Sequence, residues 1–465
     1  MKKNFSSFFV IVLIILNATV AVQAIHLLNT DNVESTNTSI YDLLIVSPAS
    51  FSQAAMPLIT HKNKVGVNTI LVTTEDVYNQ MYWQGRDDAE KLKLFIKKAI
   101  EEWGIQYVLL LGGRQNQRAA ETWWIPVRYS HLDRNYDEHG ERKFLSDLYF
   151  ADIYHSNGSF SSWDDNANGI FGEWNQQSTA DDRPDLTPDV ALGRLPCRNI
   201  FEVRIVVNKI IQYETGLCSD SWFKKMVVVA GDTYPDKTEY YDGEVYTQTG
   251  LQMMSDFDAI KLWTSDNSLR NWVDVVREFN KGCGFIWFSG HGNPASWSTH
   301  PPDDNETWIN GLRLRYMPFI HNRHKLPVCI TGSGCFNSMF NVSLGNSPWV
   351  FGIPVPHCFS WGLAKKINGG SIATIGATAF SYESPDINLG YGGIEWLDIH
   401  FFEFYGIHQV DILGDIWKNT VTSFFQHHPI NWDDESDTGS ALIAKNGQQW
   451  LLIGDPSLKI GGYSL

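Results

Sequence analysis

The sequence predicts an α/β protein of two lobes, each built on a mostly parallel sheet flanked by helices. Three observations carry that expectation. Short apolar runs rich in Val and Ile recur along the chain and mostly stop at glycine or a small polar turn; they show little alternation, as strands covered on both faces do. Amphipathic stretches separate them, and alternating strands and helices imply parallel pairing with helical crossovers. A break at TGLCSD (215–220) follows one such helix and precedes a fresh strand–helix series. It divides the chain into an N-terminal lobe over 41–217 and a second lobe over 221–465.

The chain opens with Lys2 and Lys3, the apolar run Phe8 to Leu16, and NATVAVQA, with small residues at Val22 and Ala24. This is the pattern of a secretory signal peptide over 1–24, with cleavage after Ala24. The competing reading is an uncleaved anchor, but the unbroken run is short for a membrane span. No later segment has spanning length, so the expected location is extracellular. Residues 25–40 form a polar spacer.

In the first lobe, LLIVSP (43–48), YVLLLGG (107–113) and VALGRLP (190–196) read as buried strands. In RDDAEKLKLFIKKAIEEWG the apolar residues Leu92, Phe95, Ile96, Ala99, Ile100 and Trp103 follow helical spacing. Asp87 and Asp88 suit the positive end of that helix, and Gly104 suits its C-cap. FEVRIVVNKIIQYETG (201–216) repeats the pattern. Between them, SSWDDNANGIFGEW (161–174) resembles the start of a calcium loop. Asp164, Asn166 and Asn168 place oxygens at positions 1, 3 and 5. Gly169 follows at position 6, and Ile170 supplies a backbone carbonyl. Glu173 falls at position 10 rather than 12, so the loop is not a standard EF-hand. A structural Ca²⁺ is the expectation, with Asp147 and Asp152 of SDLYFAD in the same region; the competing reading is a solvated Asx-rich turn.

The second lobe holds MVVVAGD (226–232), FIWFSGHG (285–292), PVCITGSG (327–334) and SIATIGAT (371–378). Ligands of open α/β sheets gather outside the carboxyl ends of strands. Two of these ends carry chemistry. His291 lies between two glycines, which allow a tight turn, and Gly292 offers a backbone N–H unshielded by a side chain. Cys335 follows Gly332-Ser333-Gly334 at the end of another apolar run. A thiol needs a nearby base to react near neutral pH, and neighbouring parallel strands would bring His291 to it. The competing readings are an incidental strand-end histidine and a buried cysteine. A serine hydrolase is disfavoured because TGSGC is not G-x-S-x-G. A zinc hydrolase is disfavoured because His321 and His324 form HNRH rather than HExxH.

Composition sets outer limits. The 465 residues are 43% hydrophobic, include 18 Trp, and carry a formal net charge of −16. That balance supports a large core and disfavours a nucleic-acid partner, which needs a basic face. Six cysteines at irregular spacing, with no CxxC pair, are neither a disulfide scaffold nor a cysteine zinc site, although one or two bridges stay open for a secreted protein.

FSGHGNPASW and ITGSGCFN, together with YDLLIVSP, YVLLLGG, SDLYFAD, DVALGRLPCRN, GLAKKINGGSIATIGAT and LLIGDPSLKI, resemble the gingipain-type cysteine peptidases, relatives of caspases and legumain. The resemblance covers nearly the whole chain after the spacer. It implies a caspase-like fold and a secreted cysteine endopeptidase acting on protein or peptide substrates through a thioester. Cys335 would be the nucleophile and His291 the general base and proton donor. The amides of Gly292 and Cys335 would hold the oxyanion. In that family an acidic residue before a strand like VALGRLP orients the histidine; the matching position is Asp189, an Asp rather than a Glu. Related peptidases often bind calcium, which agrees with the loop reading. The sequence shows no long propeptide and no adhesin module, and Arg or Lys specificity does not carry over. The alternative is a non-catalytic caspase-like binding or scaffold protein.

Overall fold

The computed structural model describes residues 40–463 apart from 134–140, 217–220, 347–353, 385–391 and 437. The expected signal peptide, nearly all of the spacer, and Cys218 lie outside the described residues.

The described residues form fifteen strands: β1 Leu43–Ser47, β2 Thr69–Thr73, β3 Tyr107–Leu111, β4 Tyr129–Ser130, β5 Phe144–Leu145, β6 Ala191–Leu195, β7 Lys225–Ala230, β8 Asp258–Trp263, β9 Phe285–Ser289, β10 His291–Asn293, β11 Ser296–Thr299, β12 Ile309–Arg313, β13 Val328–Thr331, β14 Ala373–Ala377 and β15 Trp450–Ile453. Ten make one sheet in the order β2-β1-β3-β6-β15-β14-β13-β9-β7-β8. Segment 41–217 supplies four of these strands and segment 221–465 the other six, so both expected lobes contribute to a continuous sheet. β14, β13, β9, β7 and β8 run parallel to one another. β15 enters antiparallel to β14 and meets β6 through the single pair Ile453–Arg194.

The non-alternating apolar runs have the cause expected of them. Every residue of β1, β9, β13 and β14 is buried, because helices cover both faces. The helix Asp88–Trp103 buries Leu92, Phe95, Ile96 and Ala99, each contributing ~1.5–3 kcal/mol when fully removed from water if it is a Leu, Ile or Phe. Asp87 caps it by accepting the Glu90 N–H at 2.9 Å, and Gly104 ends it at φ 71°, a left-handed conformation glycine adopts without strain.

A small three-stranded antiparallel sheet, β10-β11-β12, projects beyond β9. Its first turn is set by Asn293, whose side chain accepts the Ala295 N–H at 2.8 Å and donates to the Ser296 hydroxyl at 2.8 Å. Trp297 and Leu312 turn inward and are fully buried. Trp297, open in the sequence between a pocket wall and ordinary packing, is core: its ring lies 5.4 Å from that of Phe288. Among the described residues no helix is long and apolar enough to cross a membrane. Cys197, Cys283, Cys329, Cys335 and Cys358 are free thiols, and of these Cys335 alone is not fully buried.

Candidate active site

Four adjacent parallel strands deliver one group each to the same edge. In spatial order β7, β9, β13 and β14 are neighbours. Their carboxyl ends lead to Thr233, His291, Cys335 and Ser381 respectively. The expectation that β9 and β13 lie side by side is met by the pairs Phe285–Val328 and Trp287–Ile330. His291 and Cys335 both line one cleft of about 480 Å³.

The histidine is held by a backbone group. Its Nε2 lies 2.7 Å from the Thr233 carbonyl oxygen. A carbonyl only accepts, so Nε2 carries the proton and Nδ1 of the neutral ring keeps its lone pair. Burial holds the imidazole below its ordinary 6.5; the Thr233 carbonyl works against that shift and His300 adds to it. His291 is therefore neutral near pH 7. Tyr234 and Trp308 approach the ring edge-on, each with centroids 5.2 Å away.

The cysteine is held as a thiol. Burial raises its pKa, and hydrogen bonds from Ser381 oppose the rise. Sγ lies 3.2 Å from the Ser381 hydroxyl and accepts the Ser381 N–H at 3.4 Å. Phe336, the next residue, adopts φ 61°, a left-handed strain of the kind found at functional turns. Gly292 packs directly on this turn. A Cβ there would lie 2.5 Å from the Gly334 carbonyl carbon and 2.8 Å from the Cys335 oxygen, so close approach of two backbones requires glycine.

Two further residues fix the turn. Asn337 is fully buried and its Nδ2 donates to the carbonyls of Asn293 at 2.7 Å and Ser296 at 3.0 Å, tying the cysteine loop to the small sheet. The Asp398 carboxylate accepts from Trp287 Nε1 at 3.1 Å, Trp450 Nε1 at 2.9 Å and the Ser333 amide at 3.3 Å. Burial pushes Asp398 up to about 7 and Glu395 up to about 8, and it raises Glu383 well above the carboxylate range. Glu383, whose own ionisation burial opposes, is a lesser cause of the raised Cys335 pKa.

Asp189 is not part of this constellation. Its Oδ2 accepts the amides of Ile153 at 2.7 Å and Tyr154 at 2.9 Å. β6, which it precedes, lies four strand steps from β9, on the order of 19 Å. The place expected for an orienting acid beside His291 is taken by the Thr233 carbonyl. His321 and His324 are exposed, on the segment that enters β13 rather than at its carboxyl end.

The loop expected to hold calcium curls on its own oxygens. Asp164 accepts the amides of Asn168 at 3.0 Å and Gly169 at 2.9 Å, and also pairs with Arg86. Asn166 Oδ1 accepts the Asn168 amide at 3.0 Å, and Asn168 Oδ1 accepts the Ile170 amide at 2.7 Å. Asn168 Nδ2 donates to Glu173 at 2.6 Å. The donors are all oxygens with two carboxylates, a set that fits a hard cation. Among the described residues no group of three or more His, Cys, Asp or Glu side chains is placed to hold a metal. Asp147 and Asp152 are engaged elsewhere, with Arg194 at 2.6 Å and with Trp163 Nε1 at 2.7 Å.

The family model described as Peptidase family C25 matches residues 36–461. A crystal structure of the Arg specific cysteine proteinase gingipain R superposes with a TM-score of 0.62, at 16% identity, covering 90% of this chain and 78% of that one. The complex of Porphyromonas gingivalis RgpB pro- and mature domains gives 0.60 at 16% identity, covering 90% and 79%. A curated relative, an uncharacterized protein of Archaeoglobus fulgidus, is 24% identical over 169 residues, 34% of this chain. The matched stretch spans 39% of that relative's own length.

Proposed function

The chain belongs to peptidase family C25, and from that premise we infer that it is a cysteine endopeptidase with Cys335 as nucleophile and His291 as general base and acid. The observation that carries this reading is the order of Thr233, His291, Cys335 and Ser381 along one sheet edge, with Nε2 of His291 committed to a carbonyl. The free Nδ1 takes the Sγ proton, and the sulfur attacks the substrate carbonyl carbon. Charge developing on the carbonyl oxygen meets the amide N–H groups of Gly292 and Cys335; the Cys335 amide makes no hydrogen bond among the described residues. The imidazolium returns its proton to the leaving amine as the C–N bond breaks, and a thioester remains on Cys335. His291 then deprotonates a water that attacks the thioester. The acid product departs, and the proton goes back to sulfur.

Support for the rest of the reading comes from the sequence. Lys2, Lys3 and the apolar run to Leu16 support secretion. The loop oxygens of Asp164, Asn166, Asn168, Ile170 and Glu173 would hold a structural Ca²⁺, which would supply charge neutralisation to the loop and take no part in the reaction.

The test is a peptide library presented to the protein beside Cys335→Ala. Hydrolysis by the first and none by the second, at equal melting temperature, supports the inference. Hydrolysis that survives in Cys335→Ala overturns it, and hydrolysis by neither would return the chain to the scaffold reading.

A further inference from the structure

The small sheet presents one face to the cleft. His291, Asn293, Ser296, Ser298, Asn310 and Arg313 line this face, Trp297 and Leu312 are buried on the other, and a register shift at Trp297/Ser298 that skips Gly311 brings Asn310 and Arg313 to the same side. Their pairings form two rows: His291–Ser298–Asn310, and Asn293–Ser296–Arg313. Among the described residues no carboxylate lines the cleft, and with His291 neutral its one charged side chain is Arg313. In a chain of formal charge −16, that is a local reversal of sign.

Arg313 is also underused. Its Nη2 donates to Asn310 Oδ1, which draws the guanidinium toward the histidine row. Its Nε is buried and has no hydrogen-bond partner. Among the described residues no Asp or Glu forms an ion pair with it. A guanidinium presents five donors in a planar fork that matches a carboxylate, and leaving buried donors unpaired is costly.

We propose that Arg313 binds a substrate carboxylate on the leaving-group side of the scissile bond. The side follows from chemistry, because His291 delivers the proton to the leaving amine and Arg313 shares its sheet face. The distance follows from strand geometry. Two strand spacings separate the backbone of β10 from that of β12, on the order of 10 Å, and the lean of Arg313 toward Asn310 shortens the gap between side chains. One or two residues of extended substrate, at about 3.3–3.5 Å each, cover what remains. The carboxylate is either an Asp or Glu side chain at the first or second residue after the cut, or the C-terminal carboxylate of a short substrate. This rests on the peptidase reading and adds the substrate class.

The test compares kcat/KM for matched quenched peptides bearing Glu or Gln at each of the two positions after the cut, and with free or amidated C-termini two residues beyond it. The wild type is expected to favour a carboxylate by about 10- to 100-fold over its amide. Glu-over-Gln preference assigns the side chain, and free-over-amidated preference assigns the terminus. Arg313→Gln should bring the ratio near one, Arg313→Lys should keep part of it, and Arg313→Glu should invert it toward Lys-bearing peptides. A wild-type ratio near one, or a ratio unchanged in Arg313→Gln, overturns the proposal while leaving peptide hydrolysis itself in place. Should no peptide be cleaved, fluorescence anisotropy of the same Glu, Gln, free and amidated peptides on Cys335→Ala decides it: tighter binding of the Glu or the free-terminus peptide, lost on adding Arg313→Gln, supports the carboxylate site, and equal binding in both comparisons refutes it.

Discussion

Gly292→Ala reports directly on the contact that aligns the two halves of the site. Its Cβ would lie 2.5 Å from the Gly334 carbonyl carbon, whereas carbon pairs settle at about 3.5–4.0 Å. The small sheet and the cysteine turn must therefore part by about 1 Å. Both neighbouring atoms are backbone, so no side chain can swing aside, and overpacking of this kind costs ~1–3 kcal/mol. The catalytic loss is larger, because a displacement near 1 Å of reacting groups costs about 100-fold in rate. Steady-state hydrolysis of a fluorogenic peptide should show kcat down about 100-fold, with a melting temperature lower by a few degrees. Gly439→Ala is the control: a Cβ there meets nothing within 4 Å, and activity should be unchanged. Activity of Gly292→Ala within about threefold of wild type would refute the reasoning, since it would mean the Gly292–Gly334 approach does not set the geometry.

Four other outcomes are expected. Because His291 is depressed below 6.5 and works as a neutral base, kcat/KM should fall only as pH drops below that value. Because the Cys335 thiol is raised, alkylation by iodoacetamide should keep accelerating into the alkaline range. A labelling plateau already reached at neutral pH would instead indicate a preformed thiolate–imidazolium pair. Asp189→Ala should lower stability by about 1–3 kcal/mol, because two backbone amides lose their acceptor, and should leave kcat/KM unchanged; a tenfold loss of kcat would restore its catalytic assignment. A chelator should lower the melting temperature of the wild type but not of Asp164→Ala, and an unchanged wild-type melting temperature would rule out bound calcium.

The sequence made the main features of the site readable because they depend on side-chain types with few other uses at such positions. Apolar runs ending in glycine marked the carboxyl ends of β9 and β13, and His291 and Cys335 stood immediately beyond them. Thr233 was invisible because it acts through its carbonyl, which every residue possesses. Ser381 carried no signal either: a serine four residues past a strand is commonplace, and its role depends on β14 lying beside β13. Asp189 misled because an acid at a strand start resembles an orienting group, while the strand order that separates β6 from β9 depends on β15, which forms near the C-terminus. Arg313 emerged only when Trp297 and Leu312 fixed which face of the small sheet turns inward.

The most direct measurement is the intact mass of the protein acid-quenched during peptide turnover, followed by mapping of the adduct. The account predicts an acyl group on Cys335 as a thioester, absent in Cys335→Ala and slow to form in His291→Ala. An acyl group on another residue, or turnover by Cys335→Ala without any adduct, would contradict it.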